Sequence, residues 1–210
     1  QPIQFNSDKM TDRVHHIFEI ERGLRTAITN NELQLLYQPQ VDMQSNKIVA
    51  VETVLRWKSM NLGLMMASQF IPIAEESGLI SQIGEWVIKK ACAQKSAWLQ
   101  QGLPAMRMAV NISLEELRAH EDPVEWLMAL LKESKMDPYL LDVEIKENVL
   151  LAGDDKLLQA LRELKTQGIQ IVLDDYGNTN MNLDILRKVS IDRIKIRPDV
   201  IRELATDQSP

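Results

Sequence analysis

One feature constrains this chain most: its second half alternates apolar strands with amphipathic helices. Strands are predicted at 106–113, 140–146, 169–174 and 191–196. Helices are predicted at 123–135, 154–167 and 181–188, and another opens at 198. The punctuation agrees with the pattern. Asp122 stands where an N-cap belongs, Pro123 takes the first helical position, and Gly168 follows the helix that ends at 167. The segment 169–174 is apolar almost throughout. Such strands read as buried under helices, and the βαβα order predicts a parallel sheet. The C-terminal ends of the strands then open onto one face.

The first half prepares this sheet. Residues 1–11 are polar and read as a linker, and 12–30 as a connector helix with Asp12 as N-cap. Its apolar positions Val14, Ile17, Phe18, Leu24, Ala27 and Ile28 keep helical spacing. Strands at 33–43 and 48–57, separated by a turn at 44–47, read as a hairpin. A Met-rich loop follows. Ser68 is the expected cap of a short helix to Glu76, closed by Gly78, and a long helix fills 81–101 before Gly102. Residues 31–210 read as one barrel domain, with no clear boundary inside it.

Charge and composition narrow the function. The chain has 30 acidic against 24 basic residues, and only 5% of its residues are aromatic. Both facts argue against a nucleic-acid polymer as partner. An acidic protein that handles an anion needs a local device, such as a metal ion or an arginine. No run reaches the roughly 18 apolar residues of a membrane helix, and no signal peptide is evident. Cys92 is the only cysteine; it lies in an apolar helical stripe and reads as core. The expected location is cytoplasmic, with a parent protein that can be membrane-anchored. The start at Gln1 rather than Met is expected of a fragment of a longer protein or of a processed chain.

Polar residues gather at the predicted strand ends: Glu52 and Arg56, then Asn111, Glu144 and Glu147, Asp174 and Asp175, and Lys195. Active sites of α/β barrels are built at such ends. Carboxylates crowded together repel, and a hard divalent cation relieves that with oxygen ligands. A pair of ions could clamp a phosphoryl displacement. Each residue also has an ordinary reading. Asp174-Asp175 fits a strand-to-loop turn. Glu144 could face solvent, Asn111 could cap a helix, Arg56 could stack on Trp57 at the surface, and Lys195 could be a solvated charge. Their joint placement is what favours a site.

The segments LLYQPQVDM (35–43), VETVLRW (51–57), FIPIAEESGLI (70–80), MAVNIS (108–113), VEIKENVLL (143–151), IVLDDYGN (171–178) and SIDRIKI (190–196) resemble the EAL domain family of cyclic di-GMP phosphodiesterases. The resemblance implies a modified TIM (β/α)8-type barrel with one antiparallel strand. It implies metal-dependent hydrolysis of cyclic di-GMP to pGpG with Mg²⁺ or Mn²⁺. It makes Glu52, Asn111, Glu144 and Asp174 ligands of a first metal, with Asp174 bridging to a second held by Asp175. Lys195 would orient the attacking water. Arg56 would hold a substrate phosphate, and Glu147 would steady the loop after Asp174-Asp175. The leading helix resembles a connector to an upstream GGDEF or sensory domain, and a homodimer is compatible with the family.

The chain also departs from the family pattern. Glu-Ala-Leu is Glu52-Thr53-Val54 here, and the loop after Asp175 is largely rewritten from Asn178 to Asn182. The family's Thr is Lys146 and its distal Asp is Arg197. The family's Glu-Gly-Val-Glu and Gln-Gly-Tyr motifs do not occur before Pro210. The expectation is a barrel incomplete at its C-terminus, with the second metal site incomplete and hydrolysis weak or absent. The alternative is a silent module that binds cyclic di-GMP or a protein and regulates an attached domain.

Overall fold

A computed structural model of the chain describes residues 7–151, 154–177, 186–187 and 189–206. The first elements are α1 (Ser7–Ala27), β1 (Leu33–Asp42), β2 (Lys47–Ser59), β3 (Gly63–Met66), α2 (Ala67–Glu76) and α3 (Ile80–Gln100). Next come β4 (Arg107–Asn111), α4 (Leu114–Arg118), α5 (Pro123–Glu133), β5 (Leu141–Lys146), α6 (Glu147–Leu151) and α7 (Asp155–Thr166). β6 (Gln170–Tyr176), β7 (Arg193–Ile196) and α8 (Pro198–Thr206) complete the order. The helix expected at 181–188 lies mostly outside the described residues.

The sheet runs β1-β2-β4-β5-β6-β7, and β3 pairs with the far end of β2. β1 is antiparallel to β2, while β2, β4, β5, β6 and β7 are parallel. This is the expected TIM-type architecture led by an antiparallel strand. Among the described residues the sheet is an open arc with β1 and β7 at its edges.

Strand alternation sorts the side chains. Met108, Val110, Leu141, Val143, Ile145, Ile171 and Leu173 face outward into a core shared with α3, α5 and α7. A second core joins Ile20 and Leu24 of α1 to Leu55 and Trp57 of β2 and Phe70 of α2. There α1 lies so close to β2 that a Cβ on Gly23 would come within 2.8 Å of the Trp57 ring. Trp57 is fully buried and its Nε1 donates to Glu32 at 2.9 Å, so it is core and not a surface partner for Arg56. Cys92 is core as expected, and burial pushes its thiol up to about 11.

Several local expectations are corrected. α1 begins at Ser7, inside the expected linker, which leaves Asp12 within the helix. The Met-rich segment contains β3, whose Met65 is buried. α2 is closed at its start by Gln69 Oε1, which accepts from Met66 N at 2.7 Å, so Ser68 is not the cap. β4 ends at Asn111, and Ser113 caps α4. The inner faces of the strands carry Arg107, Asn111, Asp142, Glu144, Asp174, Arg193 and Lys195, beside the buried apolar Ala109 and Val172. Among the described residues α3, α5 and α7 pack on the outer face, whose strand residues are apolar throughout the shared core.

Candidate active site

The inward residues form two tiers. In the lower tier Asp142 is fully buried, and its carboxylate accepts from both Arg107 Nε and Arg193 Nη2. The upper tier lies at the C-terminal strand ends. There Lys195 Nζ stands 2.9 Å from Glu52 Oε2, 2.9 Å from Glu144 Oε2 and 3.0 Å from Asp174 Oδ1. Asn111 Nδ2 donates to Glu52 Oε1 at 3.3 Å and to Glu144 Oε2 at 3.4 Å.

Register explains this convergence. Asn111 pairs with Glu144 across β4–β5, and Glu52 with Ala109 across β2–β4. Between β6 and β7 the register slips after Leu173, so Asp174 and Asp175 sit in an irregularity of the ladder. Asp175 has φ +55°, the left-handed region, which aspartate tolerates better than most residues. A break of this kind re-aims side chains at sheet rims.

Glu147, 4% exposed, accepts the Gly177 N–H at 2.9 Å and ties the segment after Asp175 to the start of α6. Arg56 lies on the inward face of β2, but its Nη1 donates to the Leu55 carbonyl at 2.9 Å. It is not among the residues lining the cavity described below. The structure thus brings together Glu52, Asn111, Glu144, Asp174 and Lys195, sets Asp175 and Glu147 beside them, and leaves Arg56 apart.

The charges do not balance. Three carboxyl groups face a single ammonium in the upper tier, so acids outnumber the base there. Burial pushes the Glu144 carboxyl up to about 7, although Lys195 pulls the other way; Glu52 and Asp174 add to the rise. Burial works against the Lys195 charge. Attraction and hydrogen bonds from Glu144, Glu52 and Asp174 outweigh it and hold its pKa above the ordinary value. An all-oxygen donor set in which acids outnumber the base fits a hard divalent cation. As the side chains stand, no group of three or more His, Cys, Asp or Glu among the described residues is set to hold one. The reason is visible: Lys195 fills the centre and the carboxylates are arranged around its ammonium.

The tier opens into a cavity of about 430 Å³, ordinary for a small-molecule site. Its far wall is apolar, with Ile71 and Pro72 of α2 and Ile80, Ile83 and Val87 of α3. Two acids in that wall escaped sequence reasoning, Glu75 and Glu116. Glu116 is 2% exposed, its Oε1 has no hydrogen-bond partner, and burial pushes it up to about 8. It packs on Gly84, where a Cβ would lie 1.7 Å from Glu116 Oε1. The spacing Ser113-x-x-Glu116, a capping-box signature, was the available signal.

An open α/β barrel with carboxylates at its strand ends and an apolar-walled cavity defines a class of small-ligand domains. Comparison with known proteins places this one further. The EAL domain model matches residues 21–210. The chain is 34% identical over 203 residues to the bifunctional diguanylate cyclase/cyclic di-GMP phosphodiesterase MucR of Pseudomonas aeruginosa, covering 97% of this chain and 30% of MucR. It is 33% identical over 196 residues to the cyclic di-GMP phosphodiesterase PdeR of Escherichia coli, covering 93% and 29%. Among solved structures, "PaMucR Phosphodiesterase, c-di-GMP complex" superposes with a TM-score of 0.82 at 35% identity, over 90% of this chain and 76% of that one. The chain belongs to the EAL domain family. It spans under a third of the length of these two curated relatives.

Proposed function

We propose that this chain is a cyclic di-GMP domain whose site hydrolyses one phosphodiester of that ligand to give pGpG, slowly, with Mg²⁺ or Mn²⁺. The observation that carries this reading is the upper tier: Glu52, Asn111, Glu144 and Asp174 converge there, three acids around one ammonium. Those four residues would hold a first ion, and Asp174 with Asp175 a second. The metal, when bound, supplies Lewis acidity at a phosphoryl oxygen and makes water a better nucleophile at neutral pH.

The remaining roles belong to the chain. Lys195, once released from the carboxylates, donates to water and fixes its direction of approach. Glu147 holds the Gly177 backbone and so keeps the Asp174-Asp175 segment in place. The apolar wall on α2 and α3 suits a flat base and excludes water from it. Arg56 would take a phosphate with its guanidinium fork after leaving the Leu55 carbonyl. A cytoplasmic setting and attachment to a GGDEF or sensory domain belong to the same proposal.

Slow turnover is expected because a two-ion displacement tolerates little misplacement. Lys195 occupies the centre of the donors, and the loop beyond Asp175 has lost its family sequence. The same observation favours a second reading, a silent module that binds cyclic di-GMP or a protein partner and regulates an attached domain. A chromatographic assay for pGpG with Mg²⁺ and with Mn²⁺ separates the two. Measurable turnover well below about 1 s⁻¹, abolished in Glu52→Ala, is expected. No pGpG together with calorimetric binding lost in Arg56→Ala would establish the silent module. Neither turnover nor binding would remove cyclic di-GMP from the account.

A further inference from the structure

Glu144 divides its two oxygens between the tiers. Oε2 accepts from Lys195 and Asn111 above. Oε1 turns toward the lower tier and accepts from Gln40 Nε2 at 3.3 Å. Gln40 lies on the antiparallel strand β1, distant in sequence. Its own Oε1 accepts from Arg193 Nη1 at 3.3 Å, and Arg193 is held in turn by buried Asp142.

Only one orientation of the Gln40 amide suits both neighbours. A guanidinium offers donors alone, so the amide oxygen must face Arg193. A Glu144 carboxylate that ligates a metal is deprotonated and offers acceptors alone, so the amide nitrogen faces it, as the Gln40 Nε2 to Glu144 Oε1 hydrogen bond has it. The strand itself is irregular here: the β1–β2 register shifts between Gln40 and Val41. Shifts of this kind re-aim a side chain.

We propose that Gln40 is a positioning residue for Glu144. Its amide links one Glu144 oxygen to the fixed Asp142–Arg193 pair, and so sets the direction in which the other oxygen is offered to the site. The proposal rests on reading Glu144 as a metal ligand. Outer hydrogen-bond partners of ligating carboxylates hold the ligand's geometry, and losing one typically costs about 10–100-fold in metal affinity or activity.

The test is a Mn²⁺ titration of the purified protein, followed by the electron paramagnetic resonance of free Mn²⁺. Gln40→Leu and Gln40→Met are compared with the unaltered chain. Both remove the donor, and Met keeps the length of the side chain. The expected result is Mn²⁺ affinity reduced about 10–100-fold in both, with a thermal midpoint within a few degrees of the unaltered protein. In the pGpG assay kcat falls and KM changes little. If Gln40→Leu does not fold, Gln40→Met decides. Affinity within about twofold of the unaltered protein overturns the proposal. Loss of folding in both variants also overturns it, since Gln40 would then be a structural tie. Failure of the unaltered protein to bind Mn²⁺ removes the metal reading, and this proposal with it. Binding by the unaltered protein that the variants match removes this proposal alone.

Discussion

At Lys195 a single ammonium does the work of a counter-ion for three carboxylates. Without it, Glu52, Glu144 and Asp174 would face one another across a half-buried site, and like charges at such range oppose ionisation. Lys195→Met is therefore expected to lower the metal-free thermal midpoint by roughly 2–6 °C. The same variant vacates the centre of the donor set, so added Mn²⁺ is expected to raise its midpoint more than that of the unaltered chain, by mass action on the folded state. Thermal unfolding with and without Mn²⁺ checks both. A variant that melts like the unaltered protein and gains nothing extra from Mn²⁺ would show that Lys195 is not the residue balancing these charges.

At the scale of an element, α4 shows how one short helix places an acid in the cavity wall. Ser113 Oγ accepts from Glu116 N at 3.1 Å, which starts the helix and turns Glu116 inward onto Gly84. The carboxyl is buried with its Oε1 unpartnered, so it is neutral at ordinary pH and its pKa rises to about 8. The folded state therefore binds a proton that an unfolded glutamate has already released. This contribution is fully present below the ordinary glutamate value and is lost as pH rises through about 8. Glu75, raised chiefly by burial, acts in the same direction. Glu116→Gln keeps the shape and removes the titration. Urea denaturation between pH 6 and 9 is expected to show the unaltered chain losing stability while the variant loses less, with a difference on the order of 2 kcal/mol at pH 9. Parallel pH curves for the two proteins would refute this account of Glu116.

At the scale of the whole molecule, charges fasten the arc that hydrogen-bonded strands leave open among the described residues. Arg107 of β4 and Arg193 of β7 meet on Asp142 of β5, and Gln40 ties Arg193 to β1 at the opposite edge. The two edges of the sheet thus communicate through side chains across the interior. Asp142 is fully buried between two cations, so removing its charge takes from both arginines the carboxylate they share. Asp142→Asn is expected to destabilise by about 1–3 kcal/mol, less than the loss of a fully buried pair, because the two arginines keep 21% and 36% of their side chains exposed. Urea unfolding monitored by Trp fluorescence measures it, since Trp57 is wholly buried in the neighbouring core. A loss under about 1 kcal/mol would mean that the two arginines find other partners, and that the lower tier does not fasten the arc.

The sequence by itself determined the class of fold and the strand ends that carry polar residues. Those features are local. Asp122 accepts from Val124 N and Glu125 N, Asp154 caps α7, and the period-two pattern of β5 is written in neighbouring residues. It also pointed to Glu52, Asn111, Glu144, Asp174 and Lys195 as a group, through their placement and the family resemblance. Only the tertiary structure decided that Lys195 stands at the centre of the carboxylates, that Gln40 reaches Glu144, and that Arg107 and Arg193 share Asp142. It also decided that Arg56 turns to its own strand and that Glu116 rests on Gly84. Alternation along a strand says which face a side chain takes. Which charges meet across the interior depends on register, on the slips at Gln40 and beyond Leu173, and on the curvature of the sheet. Those are set by pairings between segments far apart in the chain, and no local pattern of residues encodes them.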